Sequence, residues 1–495
     1  MAVIKRILNR IRNGRNIKII SSSPYFDAEY YLSANPDVAM AHADPVEHFL
    51  YQGWKENRDP SEAFNMQAYV KLNGKKVGNR NPLLHYERYG RKDPSIIAPD
   101  SPEFICGSMT PVSELLEKFY SDSKAFQVRC VQRETPRLNI VYNGFDAGAF
   151  FGGKATALTL AILFADKYGY DLRIISQDPD RSILKSFLEL FQLPCPKRVE
   201  YYAQDLDNLL DVSEKDDFLC TMWTTADAVL HTPEITGKVF YIMQEVETFF
   251  YDHGDMHLRC WQTLTDPRLI PIVNSKLLYE YLCANGYENV KKNGICFEPV
   301  FSDTLLHPSE TSFTEKEKYT LFFYGRPSHQ RNVFYFGLDC LNQAFLTGRL
   351  DPNEWKVYLA GDASVPKFLF DRDVETQRLG VMSWGEYCKF VSEVDLCYSM
   401  IYTPHPSYPP LDTTTAGAVC VTNRCANKTD LSNYSENIVM ADLRRDSMLD
   451  ALEKGAALAK DGAKRKENYL HSHTAGQWQD AFAPVLEHMG KYIGE

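Results

Sequence analysis

The stretch LNIVYNGFDAGAFFGGKATALTL, residues 138–160, decides the fold class of this chain. Residues 138–142 are predicted to form a buried strand because apolar side chains dominate them. Residues 144–153 form a glycine-containing loop, and residues 154–168 are predicted to continue as a helix. A strand, a loop and a helix in this order are the building unit of a parallel sheet covered by helices.

The same alternation continues on both sides of a break near residues 299–308. Further strands are predicted at residues 171–175, 218–221, 239–243 and 270–273 before the break, and at 319–324, 356–360, 396–400 and 419–422 after it. We therefore predict an α/β protein with two Rossmann-like domains, residues 138–300 and 301–475, which face a cleft. In such sheets, ligands bind beyond the carboxyl ends of the strands.

Three further segments are predicted around these domains. Residues 21–100 hold two copies of one pattern, in which Phe26 matches Phe64 at an offset of 38, and this period indicates a small helical repeat module. His48 and His85 recur in the two copies and are predicted to be packed, hydrogen-bonded structural histidines. Residues 101–137 are predicted to be a linker, and residues 476–495 a C-terminal helix.

The first twenty residues have a different character from the rest of the chain. They carry six basic and no acidic side chains, and Ile4, Ile7, Leu8 and Ile11 recur at helical spacing. A basic amphipathic helix can lie on an anionic membrane surface. Residues 1–20 are therefore predicted to be a membrane anchor, and a disordered basic tail is the alternative.

The composition excludes several classes of protein. Of the 495 residues, 44% are apolar, and no apolar run is long enough to span a membrane. The formal net charge of −11 argues against general nucleic-acid binding. The twelve cysteines form no CxxC pair and no metal-like array. We therefore predict reduced thiols, a cytoplasmic location, no metal and no cofactor.

A second stretch, PHPSYPPLDTTTAG at residues 404–417, indicates a ligand site. The two prolines after Tyr408 favour the first turn of a helix, whose start attracts anions such as phosphate. Ser407 and Tyr408 would present hydroxyls there, and Asp412 would accept hydrogen bonds from sugar hydroxyls. A proline-rich surface turn before a well-capped helix explains the same residues.

Other candidate contacts follow predicted strands. The loop YGRPSHQRN places Arg326 and Arg331 close together, and guanidinium groups suit bidentate contacts with phosphate; solvated charges are the alternative. Gly152 and Gly153 permit close backbone approach just before a helix, although this loop completes neither a GxGxxG fingerprint nor a Walker motif, and a tight turn is the alternative.

The polar residues Gln244 to Glu247 follow the strand at 239–243. They lie at the expected edge of the cleft, so Glu245 and Glu247 are candidate contacts for a second substrate, with an exposed acidic turn as the alternative. Asn274 and Ser275 follow another strand and indicate a helix cap.

Four segments together resemble the GT-B glycosyltransferases, specifically the WsaF-type rhamnosyltransferases of bacterial surface-glycan assembly. The segments are FFGGKATAL, IMQEVETFFYDHG, FYGRPSHQRN and PHPSYPPLD with its following TTTAGAVCVTN turn. The resemblance implies a GT-B architecture, with a nucleoside-diphosphate sugar held by residues 301–475. It also implies a glycan or lipid-linked glycan acceptor held by residues 138–300.

The same resemblance implies roles for individual residues. Arg326 and Arg331 face the diphosphate, Tyr408 meets the phosphates, and Asp412 stands where the family usually has Glu against the ribose. Gly152, Gly153 and Ser407 complete the predicted donor site, and Glu245 and Glu247 are the predicted acceptor contacts. No metal is expected, because arginines and a helix N-terminus can stabilise the leaving group.

The predicted function is transfer of a sugar, L-rhamnose from dTDP-L-rhamnose, to a growing surface polysaccharide, on the inner face of the plasma membrane. One alternative is a nucleotide-sugar epimerase on the same scaffold, which would need acid and base groups converging on the sugar. The other is a non-catalytic glycan-binding or assembly protein, a role that residues 26–95 could serve alone.

Overall fold

The computed structural model describes residues 14–109, 111–145, 152–204, 208–361, 365–372, 374–380 and 382–493. The chain divides into two compact units, Met1–Ser121 and Asp122–Glu495. The boundary falls inside the segment predicted as a linker, and that segment holds two helices, Pro102–Ser108 and Val112–Phe119. Within the described residues, no helix combines the length and apolar character needed to cross a membrane.

The first unit, residues 14–121 as described, is helical. Its helices are Ala28–Ala34, Pro36–Met40, Pro45–Tyr51, Met66–Val77, Pro82–Arg88, Pro102–Ser108 and Val112–Phe119, with 3₁₀ turns at Gly53–Glu56 and Gly90–Lys92. Asp44 and Asn81 cap equivalent helices in the two copies of the repeat, each followed by a proline that suits the first helical turn. The repeat predicted from sequence therefore corresponds to a repeated helical unit.

Each copy of the repeat contains the same tyrosine–histidine pair. The Tyr31 hydroxyl lies 3.0 Å from Nδ1 of His48, and the Tyr69 hydroxyl lies 3.0 Å from Nδ1 of His85. A Cβ atom on Gly53 would lie 2.0 Å from the Tyr31 hydroxyl, so only glycine fits there. The histidines are structural, as predicted from their apolar neighbours.

Part of the predicted basic tail belongs to this unit. Residues 14–21 are helical, and Ile20 is fully buried in the core of the repeat unit. The four apolar residues of the proposed membrane stripe, Ile4 to Ile11, lie outside the described residues. The tail predicted over residues 1–20 is therefore too long, because its last residues pack as part of a folded helix.

The second unit contains two parallel sheets and one short parallel ribbon. Its strands are β1 Val128–Cys130, β2 Arg137–Val141, β3 Asp171–Ser176, β4 Val199–Ala203, β5 Leu210–Val212, β6 Asp216–Cys220, β7 Val239–Met243, β8 Leu269–Asn274, β9 Ile295–Phe297, β10 Tyr319–Gly325, β11 Trp355–Gly361, β12 Glu375–Arg378, β13 Leu396–Ser399, β14 Val419–Asn423 and β15 Ile438–Ala441. The seven-stranded sheet has the order β4-β3-β2-β6-β7-β8-β9, the six-stranded sheet has the order β12-β11-β10-β13-β14-β15, and β1 pairs with β5.

The helices of this unit cover the two sheets. They are α1 Gly153–Tyr168, α2 Ile183–Phe191, α3 Trp223–Leu230, α4 Asp255–Leu264, α5 Lys276–Ala284, α6 Glu288–Asn293, α7 Phe334–Leu346, α8 Trp384–Val391, α9 Tyr408–Thr415, α10 Arg445–Lys460, α11 Gly462–Leu470 and α12 Trp478–Gly490. We call the seven-stranded sheet with α1–α6 and α12 the first lobe. The six-stranded sheet with α7–α11 is the second lobe.

The last helix returns to the first lobe. Phe482, Val485 and Met489 of α12 are fully buried in the core that also contains α1 and the strands β2 and β3. The two crossings between the lobes touch one another, because the Phe301 amide donates to the Thr474 carbonyl at 3.0 Å and the Gly476 amide donates to the Phe301 carbonyl at 3.0 Å. The second unit is thus two Rossmann-like lobes joined twice, and the predicted fold class is confirmed.

Candidate functional site

The two lobes contact each other at the carboxyl ends of their strands, where the loops after β7, β8, β10 and β13 meet. Two arginines come from the loop after β10. The Arg326 guanidinium donates to Nε2 of His329 at 2.8 Å, and its own Nε has no hydrogen-bond partner among the described residues. Sequence analysis placed both arginines in one loop, and the structure brings them to the cleft.

Arg331 lies between the lobes. Its Nε is 3.4 Å from a carboxylate oxygen of Glu245 in the first lobe, and its guanidinium lies 4.5 Å from the ring centre of Phe250. Burial lowers the pKa of Arg331, while the neighbouring Glu245 opposes this shift. A cation held in this way, next to one carboxylate and one aromatic face, is suited to attract an anionic ligand.

The two predicted glutamates have different environments. Glu245 lies at the cleft, where it faces Arg331 and accepts a hydrogen bond from Thr403 of the second lobe. Glu247 lies in the interior, where the Tyr241 hydroxyl and the Trp223 amide donate to its two carboxylate oxygens. Burial raises the pKa of Glu247 to about 7. The Glu247 carboxyl is therefore buried and bonded within the first lobe, and its predicted acceptor contact stays a prediction.

Tyr408, the first residue of α9, joins the two lobes. Its hydroxyl lies 2.8 Å from the Thr156 hydroxyl and accepts a hydrogen bond of 2.8 Å from the Asn274 amide, both in the first lobe. Burial raises the pKa of Tyr408 to about 12, so the hydroxyl stays protonated. The hydroxyl is held between two residues of the opposite lobe, and its predicted contact with phosphates stays a prediction.

The start of α9 has fewer free amides than the sequence argument assumed. Pro409 and Pro410 have no N–H group, and the Ser407 amide donates to Nδ1 of His405 at 2.9 Å. Ser407 is buried and its backbone φ is +72°, a strained value for a residue other than glycine. Its side chain makes no capping hydrogen bond.

Strained backbone recurs around the cleft. Ser275, Val333 and Ser407 have φ values of +80°, +40° and +72°, and each directly precedes a helix on the cleft side of a sheet. Such conformations persist where the surrounding structure enforces them, and they cluster at ligand sites. This clustering marks the same edge of the sheets as the two arginines.

Asp412 is enclosed by the second lobe. One of its carboxylate oxygens accepts a hydrogen bond of 3.1 Å from the Tyr387 hydroxyl, and the other has no partner among the described residues. Burial raises the pKa of Asp412 to about 8, against the opposing effect of the Tyr387 hydrogen bond. A carboxyl group with one unpaired oxygen can accept a hydrogen bond from a hydroxyl group, and the predicted contact of Asp412 with a sugar hydroxyl stays a prediction.

Gly152 and Gly153 lie at the start of α1 and pack against protein side chains. A Cβ atom on Gly153 would lie 2.8 Å from the amide group of Gln244, which also donates to the Gly153 carbonyl at 2.8 Å. Gly152 has φ +50° and lies beside the Tyr408 ring. The close approach predicted for a ligand is made here by Gln244 and Tyr408, and the donor contact stays a prediction.

Sequence analysis missed two residues that the fold brings to the cleft, His405 and Asn274. The Asn274 amide links Tyr408 to Gln244, and its Oδ1 has no partner among the described residues. The His405 ring is buried, and its Nε2 is likewise without a described partner. The sequence pattern predicts only a helix cap at Asn274, and His405 lies between Pro404 and Pro406, where no local pattern indicates a role for its ring.

A small apolar cavity of about 50 Å³ lies beside Tyr408 between the lobes. Thr156, Phe301, Trp384, Tyr408 and Trp478 are among its lining residues. No charged side chain lines it, so the polar cleft next to it is the better candidate for an anion.

Sequence comparison finds one family. A family model described as "WsaF, N-terminal domain" matches residues 137–276, and one described as "WsaF, C-terminal domain" matches residues 319–453, together more than half of the chain. A curated relative is the O-antigen biosynthesis protein RfbC of Myxococcus xanthus, 32% identical over 254 residues, which cover 50% of this chain and 19% of the relative. The chain thus spans about a fifth of the length of that relative.

Comparison with solved structures finds glycosyltransferases. TarM of S. aureus and WaaG, a glycosyltransferase involved in lipopolysaccharide biosynthesis, each give a TM-score of 0.51, at 8% and 10% identity. Anabaena Alr3699/HepE in complex with UDP-glucose gives 0.50 at 11% identity. The matches cover 72–73% of this chain and the whole of each structure. At these identities the likeness establishes the fold alone.

Proposed function

Because the chain belongs to the WsaF family and has the GT-B fold of glycosyltransferases, we propose that it transfers a sugar from a nucleoside diphosphate to a growing surface polysaccharide. The proposed donor is dTDP-L-rhamnose. In the reaction, the bond between the anomeric carbon and the diphosphate oxygen breaks, and an acceptor hydroxyl oxygen bonds to that carbon. A nucleoside diphosphate and a proton are released.

The observation that carries this proposal is a set of buried polar atoms at the cleft that lack partners within the described residues. Two are nitrogen donors, from Arg326 and His405, and two are oxygen acceptors, from Asn274 and Asp412. Buried polar groups without partners are rare and costly, so a cluster of them indicates a missing ligand. The donors suit a diphosphate and the acceptors suit sugar hydroxyls, which is the composition of a nucleotide sugar.

The two arginines are proposed to stabilise the leaving group. The negative charge of the diphosphate grows as the glycosidic bond breaks, and guanidinium groups fixed beforehand stabilise that charge without a metal ion. In the structure, the Glu245 carboxylate lies beside the Arg331 guanidinium. When the diphosphate pairs with Arg331, the Glu245 carboxylate becomes available to accept a hydrogen bond from the acceptor hydroxyl.

A donor screen followed by product analysis tests the proposal. The full chain is heated with dTDP-L-rhamnose, UDP-glucose and their free nucleotides, because a ligand that binds the folded state raises its melting temperature. The stabilising donor, isotopically labelled in its sugar, is then incubated with bacterial surface glycan and the products are weighed by mass spectrometry. A new labelled glycan is expected, and Arg326→Ala is the matched variant in which less of this product is expected.

Other products would point elsewhere. A labelled sugar nucleotide of altered configuration, without glycan labelling, would indicate an epimerase and overturn the proposal. Stabilisation by glycan alone, without turnover of any donor, would indicate a binding or assembly protein. Labelling from a donor other than dTDP-L-rhamnose would keep the transferase and replace the sugar.

We further propose that the basic N-terminus holds the enzyme at an anionic membrane surface. Residues 1–13 carry four basic side chains and the apolar stripe at Ile4, Ile7, Leu8 and Ile11. Because Ile20 belongs to the folded repeat unit, the test deletes residues 1–13 only. The deletion is expected to abolish flotation with anionic liposomes at low salt and to leave transfer to a soluble acceptor unchanged. Equal flotation of both proteins would contradict the anchor.

A further inference from the structure

His405 occupies an unusual position in the loop that leads to α9. Its ring is 4% exposed, and the Ser407 amide donates to its Nδ1 at 2.9 Å. Its own amide points at the Thr403 hydroxyl at 3.4 Å, and Thr403 in turn donates to Glu245 across the cleft. His405 is therefore fixed in place from both sides, next to the contact that joins the lobes.

The hydrogen bond at Nδ1 determines the state of the ring. A nitrogen that accepts a backbone N–H carries no proton, so the neutral ring carries its hydrogen on Nε2. Burial lowers the pKa of His405 to about 3, and the nearby cations of Lys428 and Arg331 add to this effect. The ring is thus neutral at physiological pH and presents an N–H donor at Nε2, which has no partner among the described residues.

We propose that His405 binds the nucleotide-sugar substrate through a hydrogen bond that its Nε2–H group donates to an oxygen of the diphosphate. This inference rests on the proposed function and adds a residue to its phosphate site. The helix start that follows His405 lacks two of its N–H groups, because Pro409 and Pro410 stand in its first turn. The side-chain N–H of His405 supplies an anion contact that these prolines cannot make.

The charges around His405 fit an anionic ligand. Arg331 lies near the ring, and the buried Lys428 amine donates to the Ile401 carbonyl at 3.4 Å at the base of the same loop. Two cations beside a neutral ring favour a ligand with negative charge. Because Nε2 is shielded from solvent, the donor reaches it when the Glu245–Thr403 contact between the lobes opens.

Two substitutions of His405 distinguish the role of Nδ1 from the role of Nε2. The side-chain oxygen of His405→Asn can replace Nδ1 and keep the bond from the Ser407 amide, but this variant has no donor at the position of Nε2. The side-chain amide of His405→Gln reaches the position of Nε2 and keeps a donor there, but it loses the Ser407 bond. Both variants have a neutral side chain, so they change the hydrogen-bonding groups at residue 405 without changing the charge of the site.

Calorimetric titration of the full chain with dTDP and with UDP measures the outcome. His405→Asn is expected to weaken binding of the nucleoside diphosphate about ten-fold or more, and His405→Gln less than about three-fold. The opposite order, with His405→Gln the weaker binder, would show that His405 acts only through Ser407 and would overturn the proposal. Equal affinity of both variants and the wild type would overturn it as well.

A measurement on the wild type keeps the test decisive if a variant fails to fold. In the chain labelled with ¹⁵N-histidine, one buried ring is expected to show a hydrogen on Nε2 and none on Nδ1, and its Nε2 resonance is expected to shift on addition of dTDP or UDP. No such shift during binding would overturn the role of His405 and leave the transferase proposal standing. If the wild type binds no nucleoside diphosphate and transfers no sugar, the proposed function itself fails.

Discussion

Two buried histidines in different parts of the molecule show what a completed polar site and an incomplete one look like. His85 in the repeat unit is 4% exposed, its Nδ1 lies 3.0 Å from the Tyr69 hydroxyl, and neither ring nitrogen is a buried atom without a partner among the described residues. His405 at the cleft is equally buried, yet its Nε2 has no partner within the described residues. The folded chain thus satisfies the first histidine by itself.

The difference separates residues that hold the fold from residues that await a ligand. A side chain whose polar atoms are all bonded within the protein contributes to stability, and its removal is expected to lower the free energy of unfolding. A buried side chain with an unpaired polar atom lowers the free energy of unfolding, and its removal is expected to change ligand binding instead. The following substitutions test this division.

The largest effect is expected for Asp412→Asn, measured as the pH dependence of stability. The unfolded Asp412 carboxyl loses its proton near pH 4, whereas burial raises its pKa in the folded protein to about 8. The folded state therefore binds more protons between these values, and the stability of the wild type falls as pH rises from about 4 to about 8. Asparagine cannot ionise, so the variant is expected to gain stability relative to the wild type by several kcal/mol at pH 9, since one pKa unit corresponds to about 1.4 kcal/mol.

Urea titrations at pH 5 and pH 9 check this expectation. Glu247, whose pKa is also raised, is present in both proteins, so its contribution cancels in their difference. The exposed Asp351→Asn variant serves as the matched control and is expected to follow the wild type. A constant difference between Asp412→Asn and the wild type across this range would contradict the burial of an unpaired carboxyl.

The next effect is expected for Arg326→Ala and Arg331→Ala, measured as kcat/KM with the donor. Each charge-assisted hydrogen bond to the diphosphate contributes about 1.5–3 kcal/mol, so each variant is expected to lose about ten- to hundred-fold in kcat/KM. Arg349→Ala is the control, because Arg349 pairs with Asp450 and Glu453 on α10 rather than facing the cleft. Wild-type kinetics in both cleft variants would remove the arginines from the site.

For Tyr69→Phe in the repeat unit, we expect a loss of stability without a loss of turnover. Losing the hydroxyl leaves the buried Nδ1 of His85 without its partner, which is expected to lower the stability of this unit by about 1–3 kcal/mol. Donor binding and turnover should stay unchanged, because the pair belongs to the repeat unit. Thermal unfolding and kinetics are compared with Tyr89→Phe, which removes an exposed hydroxyl. A loss of turnover without a loss of stability would contradict the distinction between residues that stabilise the fold and residues that bind a ligand.

The smallest effect is expected for Tyr408→Phe, which removes the hydroxyl that joins the lobes. Each neutral hydrogen bond contributes about 0.5–1.5 kcal/mol, so turnover is expected to fall several-fold and the lobes to separate more often. Thr156→Val removes one partner of the same hydroxyl and is expected to act non-additively with Tyr408→Phe in a double-mutant cycle. Small-angle scattering reports the separation, and strictly additive effects would exclude the shared contact.

The sequence predicted the lobes well because their central strands are apolar runs. Strand β7 occupies the predicted residues 239–243, and β2 begins one residue earlier than predicted because Arg137 is buried in an ion pair with Asp216. The sequence analysis predicts none of the four edge strands, β4, β9, β12 and β15. The residues of β4 are only half-buried, so its sequence lacks an apolar run.

The candidate site was predicted in part, for a similar physical reason. Arg326, Arg331 and Asp412 stand beside strands or a helix start, so local pattern places them at the cleft. The partner of a side chain in the other lobe depends on the fold, and no local pattern joins Tyr408 to Thr156 or Asn274. The unpaired nitrogen of His405 is equally invisible in the sequence, because it depends on which ring atom the Ser407 amide reaches.

The return of α12 to the first lobe has a consequence for folding during synthesis on the ribosome. A ribosome makes the strands of the first lobe before those of the second lobe, yet the helix that fills the core of the first lobe with Phe482, Val485 and Met489 is made only after the second lobe. Residues 298–477 must be synthesised in between, which takes roughly ten to forty seconds at about 5–20 residues per second. During this interval the nascent first lobe exposes an apolar groove to the cell. The second lobe can therefore finish folding before the first lobe, although the strands of the first lobe are synthesised earlier.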